Sequence, residues 1–128
     1  MTPQLEEALR LLRLARRDHE TFDLLFPLPK ASLAALGFLA QQSAEKALKA
    51  VAALRSIEIR RTHDLAALGQ AILDDGGTLP LTADELRCLN PFAVEFRYDD
   101  EIIPTITREE LDNFLSAVLG WAEHLVGR

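Results

Sequence analysis

The chain has a single cysteine, Cys88, which excludes an internal disulfide and a cysteine-based zinc site and fits a reducing compartment. It has one tryptophan and one tyrosine, and its β-branched apolar set is thin: 6 Ile and 4 Val against 24 Leu and 18 Ala. Strands favour β-branched and aromatic residues, so little is present from which to build a sheet. No apolar run approaches the roughly 18 residues that cross a bilayer. The first residues, Met1 to Glu7, are acidic where a secretory signal is basic. Neither GxGxxG nor GxxxxGK[ST] occurs, so the usual phosphate loops are missing. No Glu-x-x-His pair occurs, so a di-iron bundle site lacks its ligands. No metal and no cofactor is expected.

What is present is a 128-residue globular mixture, 48% hydrophobic and 27% charged, which excludes a disordered or collagen-like chain. The length corresponds to one domain over residues 1–128. Leu and Ala favour helices, so the expected class is all-α. A formal net charge of −6 gives no whole-molecule attraction for nucleic acid, and an RNA contact would need a local basic patch. The expected location is the cytoplasm.

Hydrophobic spacing divides the chain into five helical segments, the pattern of an up-and-down bundle. The first, about Pro3 to Phe26, places Ala8, Leu12, Ala15, Phe22 and Phe26 on one face and ends at Pro27. The second, about Ala31 to Ile57, carries Leu36, Ala40, Ala44, Ala47, Val51 and Leu54. Its alanines predict close approach of a neighbouring helix. The third starts at Thr62 as N-cap, carries Leu65, Leu68 and Ile72, and ends at Gly76-Gly77. The fourth opens with the capping-box pattern Thr82 to Glu85 and puts Leu86, Leu89, Ala93 and Phe96 on a face, with a kink or break at Pro91. The fifth opens with a second capping box, Thr107 to Glu110, and carries Leu111, Phe114, Leu115, Val118, Ala122 and Leu125.

Three constellations carry polar chemistry. In the run from Gln41 to Ala50, residues Gln42, Glu45, Lys46 and Lys49 share about one quadrant of a helix, and Glu45 and Lys49 form a favourably oriented i,i+4 pair. The pattern fits a solvated face, or the polar wall of a cleft that directs amides and ammonium groups at a phosphate or base. His63 precedes Asp64, which complements a helix dipole. An imidazole there suits proton transfer, or a plain hydrogen bond between helices. Arg97-Tyr98 precedes Asp99-Asp100-Glu101. The arginine is either paired with these acids or free to clamp a phosphate beside a tyrosine that stacks on a base. A fourth feature, the stripe Arg10, Arg13, Arg16 and Arg17, is a solvated face or a landing place for RNA phosphates or an acidic partner. The carboxylates Asp74-Asp75 and Asp99-Asp100-Glu101 fall in loops without an evident acid–base partner.

Gln41-Gln42-x-Ala44-Glu45-Lys46-Ala47-x-Lys49-Ala50, then Thr62-His63-Asp64-Leu65, then Arg97-Tyr98, resemble in order and spacing the signatures of the HEPN domain. The Ala15-x-x-Asp18 step fits as well, and the resemblance covers nearly the whole chain. It implies a helical bundle that dimerises around a shared cleft, often encoded beside a minimal nucleotidyltransferase in a toxin–antitoxin pair. Some members are metal-independent endoribonucleases marked by a late-helix arginine with a histidine four to six residues on. Here Arg97 is followed by Tyr98, Asp99, Asp100, Glu101, Ile102 and Ile103, with no histidine in that window. Arg13 and His19 meet the spacing only in the first segment, where His19 falls in a slot of the apolar face.

The resemblance therefore implies a homodimeric module that binds a nucleotide or a nucleotidyltransferase partner, with no catalytic residue assigned. Its cleft would hold Gln42, Glu45, Lys46, Lys49, His63, Arg97 and Tyr98. A ribonuclease toxin using Arg97 and a histidine, and a purely structural oligomerisation module, are the alternatives.

Overall fold

A computed structural model describes residues 1–59, 61–93 and 106–127. It contains α1 (Pro3–Leu25), α2 (Leu33–Leu54), α3 (Leu65–Asp74), the short α4 (Ala83–Arg87), a 3-10 turn (Asn90–Phe92) and α5 (Arg108–Val126). The architecture is an all-α bundle, and the described residues include no strand.

Each helix begins where a side chain can satisfy its orphan N–H groups. Thr2 accepts from the Leu5 amide with Pro3 in the first turn, and Ser32 accepts from the Ala35 amide. Thr82 and Thr107 form complete capping boxes with Glu85 and Glu110. The start of α3 differs from the sequence expectation. Its N-cap is Asp64, which accepts from the Ala66 and Ala67 amides, while the Thr62 hydroxyl accepts from the Asp64 amide one turn earlier. Threonine and aspartate both cap, and the two-residue shift places His63 outside the helix.

The fourth segment breaks rather than bends. α4 stops at Arg87, and Pro91 sits in the 3-10 turn, where its missing N–H does no harm. Phe96 lies outside the described residues.

α2 is the central element and packs against α1, α3 and α5. Its alanines do what their spacing predicts. Ala40, Ala44 and Ala47 are fully buried with Ala8 and Ala15, and the Ser43 hydroxyl reaches the Ala15 carbonyl at 2.7 Å across the α1–α2 seam. Larger side chains fill the remaining core: Leu12, Phe22, Leu36, Leu48, Leu65, Ile72, Leu86, Leu111 and Leu115. Each contributes about 1.5–3 kcal/mol by burial. In α5 the buried stripe runs through Leu119 and Val126, while Leu125, expected inside, is 40% exposed.

Two contacts set the position of the segment that carries His63. Gly37 leaves room for the Phe92 ring, which a Cβ at that position would overlap. The turn so docked presents Asn90, whose Oδ1 accepts from the Leu65 amide at 3.0 Å and whose Nδ2 donates to Asp64 Oδ1 at 2.9 Å. The start of α3 is thereby tied down over the middle of α2.

At the far end, Arg108 closes the α1–α2 connection. Its guanidinium donates to the carbonyls of Ala31 (2.5 Å), Phe26 (2.7 Å) and Leu28 (3.1 Å) and lies 5.8 Å from the Phe26 ring centroid. Backbone acceptors left over after α1 ends are satisfied by one planar cation.

Candidate functional site

Glu45 is the hub. It is 5% exposed, although a helical wheel places it on the polar quadrant. A buried carboxylate is tolerated only with hydrogen-bonded partners. Oε1 accepts from Gln41 Nε2 at 3.0 Å and lies 2.8 Å from His63 Nδ1, while Oε2 accepts from Lys49 Nζ at 2.9 Å. Gln41, fully buried, also donates to the His63 carbonyl at 3.2 Å and accepts from Gln42 Nε2 at 2.7 Å. A continuous chain thus runs from Gln42 through Gln41 and Glu45 to Lys49 and His63.

Burial pushes the Glu45 carboxyl up, but hydrogen bonds from Gln41, Lys49 and His63, with the Lys49 charge, outweigh it and hold the carboxyl below its ordinary value. An ionised Glu45 can only accept, so the His63 Nδ1 carries the proton of that bond. In the neutral ring Nε2 is then a lone-pair acceptor, on a side chain that is 40% exposed. The pair has the form of a base oriented by a carboxylate.

Lys46 turns the other way. It pairs with Asp18 of α1, both partly buried. The expected polar quadrant therefore splits. Gln42, Glu45 and Lys49 join His63 in one network, and Lys46 belongs to the α1–α2 seam. Both lysines have a carboxylate counter-ion, so the four charges cancel. Arg97 and Tyr98 lie outside the described residues, as do Asp99, Asp100 and Glu101.

Sequence reasoning left out one member of the network, Gln41, and the seam partner of Lys46, Asp18. Gln41 belongs to the motif but not to the chosen quadrant. Its signal is the i,i+4 step to Glu45. Asp18 shows only in the Ala15-x-x-Asp18 step.

The other charged features resolve into structural pairs. In the basic stripe, Arg10 binds Glu7 and Arg16 reaches Glu123 of α5 at 3.5 Å, while Arg13 and Arg17 are exposed. His19 lies 3.5 Å from Asp23. Asp75 does have a partner, Arg55, whose guanidinium also donates to the Asp75 carbonyl. Among the described residues no group of His, Cys, Asp or Glu could hold a metal, and no helix is long and apolar enough to cross a membrane.

Comparison with curated proteins and with solved structures returned no match. A family model does match: that of the HEPN domain, over residues 6–123. The matched span includes the α2 motif, Asp18, His63 and Arg97, and with nearly its whole length so covered the chain belongs to the HEPN domain family.

Proposed function

We propose that this HEPN protein is a homodimeric binding module in a two-component, toxin–antitoxin-like system, recognising a nucleotide or a minimal nucleotidyltransferase partner in the cytoplasm. The observation that supports it most is the hydrogen-bonded chain Gln42–Gln41–Glu45–His63, which unites two separate sequence motifs at one place. All four side chains are hydrogen-bonded, the middle two, Gln41 and Glu45, are buried, and the ends, Gln42 and His63, are partly open to solvent.

In this reading Gln42 reads a base edge or a partner backbone, and His63 presents Nε2 to the ligand. Arg97 neutralises phosphate and Tyr98 stacks. Lys46 and Lys49 are already balanced by Asp18 and Glu45, so they tune the field more than they bind phosphate outright.

Calorimetric titration with ATP and GTP tests this, comparing wild type with Arg97→Ala and Gln42→Ala. Saturable heat that either substitution weakens supports the nucleotide reading, and no heat at millimolar ligand rejects it.

One observation favours a second reading, a metal-independent endoribonuclease. The His63–Glu45 pair supplies an oriented base in a chain whose late arginine lacks a following histidine. Expression in a growing bacterium separates the two. Growth arrest with cleaved RNA, relieved by His63→Ala, favours the enzyme, and unimpeded growth with intact RNA favours the binding module.

A further inference from the structure

Between α1, the end of α2 and the segment that follows it lies a hollow of about 450 Å³. That volume falls within the range of about 300–1,000 Å³ that small-molecule sites occupy. Its walls are apolar, from Leu11 of α1, Ala53 of α2, and Ile57 and Ile59 beyond it. Its rim is positive, with Arg10, Lys49 and Arg61 facing one carboxylate, Glu7. In a chain of net charge −6 this is a local reversal of sign.

The rim charges are not equal. Arg10 is held by two hydrogen bonds to Glu7, at 2.7 and 2.9 Å, and Lys49 by Glu45 at 2.9 Å. Arg61 has no ion pair among the described residues and leaves one uncompensated positive charge over an apolar floor. A neighbouring hollow of similar volume, about 450 Å³, shares Ile59 and Arg61. Glu58 and Arg61 both line it, with no ion pair between them, and they are its charged lining residues among those described. Among the described lining residues the first hollow has three cations to one carboxylate, and the second has one of each.

We propose that the first hollow is a second ligand site, for a small organic molecule with an aryl or short alkyl body and one anionic headgroup, phosphate or carboxylate. The body displaces water from Leu11, Ala53, Ile57 and Ile59. The headgroup meets Arg61 and the free face of Lys49. His63 is not among its lining residues, and the site is distinct from the nucleotide reading except that it shares Lys49. It touches the Glu45 network only through Lys49, so an anion that draws on the Lys49 ammonium loosens its bond to Glu45.

The test is an NMR titration of the full chain with phenyl phosphate, benzoate, inorganic phosphate and phenol, following backbone amides. The proposal predicts saturable shifts at Ala53, Ile57 and Ile59 with phenyl phosphate, benzoate or both, and the better of the two identifies the headgroup. Phosphate alone and phenol alone bind at least about tenfold more weakly, because each supplies half of the contacts. Arg61→Gln weakens the best ligand by about tenfold, the loss of one charge-assisted hydrogen bond. Ala53→Leu, which fills the floor, weakens it as well. The proposal is overturned if folded protein shows no saturable shifts at millimolar ligand. It is equally overturned if inorganic phosphate binds as well as phenyl phosphate, or if Arg61→Gln changes nothing.

Discussion

His63 Nδ1 lies 2.8 Å from Glu45 Oε1, and this contact joins the middle of α2 to the residue just before the cap of α3. It brings together two parts of the chain that the sequence separates by 18 residues. The same carboxylate binds Gln41 and Lys49, so its removal takes an acceptor from three polar groups at once.

Glu45 therefore carries a stability cost and a pH signature. Glu45→Ala destabilises the fold by about 2–4 kcal/mol in chemical denaturation, since it leaves Lys49 without its carboxylate and takes one of two acceptors from Gln41. The folded-state pKa of Glu45 is lowered, so its contribution is fully present above the ordinary glutamate value near 4.5 and is lost as pH falls through the folded value. Wild type should lose stability on acidification across that window more steeply than Glu45→Gln. Parallel curves for the two proteins would contradict the assignment.

Arg108 is the counterpart at the other end of the bundle. Arg108→Ala should cost about 1.5–3 kcal/mol, because three carbonyls lose a charged donor. Arg108→Lys should recover only part of it, since an ammonium lacks the planar fork that reaches residues 26, 28 and 31 together. Urea midpoints of the three proteins measure both effects.

Gly37→Ala should cost about 1–3 kcal/mol by overpacking against the Phe92 ring. Phe92→Leu should relieve part of that cost in the double mutant, a non-additivity that a thermodynamic cycle reads directly. Because the Phe92 turn presents Asn90 to Asp64, Gly37→Ala should also broaden the His63 ring resonances.

Helix identity was legible because it follows from local rules. The capping boxes at Thr82 and Thr107, the proline after α1 and the alanine stripe of α2 each act through residues within one turn or through close packing. The α3 start was misplaced because Thr62 and Asp64 both cap, and only the Asn90 contact from a distant turn selects the second. The motif residues of the site were legible as a family pattern, and their arrangement was not. Periodicity assigns Glu45 to a polar face. It does not show that the segment around His63 covers that face and removes the carboxylate from water. Lys46 and Lys49 look alike on a wheel, yet one is claimed by Asp18 and the other by Glu45. The Arg108 clamp has no sequence signature, since its acceptors are backbone carbonyls about 80 residues away.

The central claim is that the Glu45–His63 network is the surface a nucleotide meets. NMR observation of the His63 ring and the Gln42 side-chain amide during titration with ATP and GTP tests it most directly. The account predicts that both signals move together and saturate with at least one of these nucleotides, and that His63→Asn weakens the apparent affinity in the folded protein. Saturation that leaves both signals unmoved while shifting a different face, or no saturation at millimolar nucleotide, would contradict it.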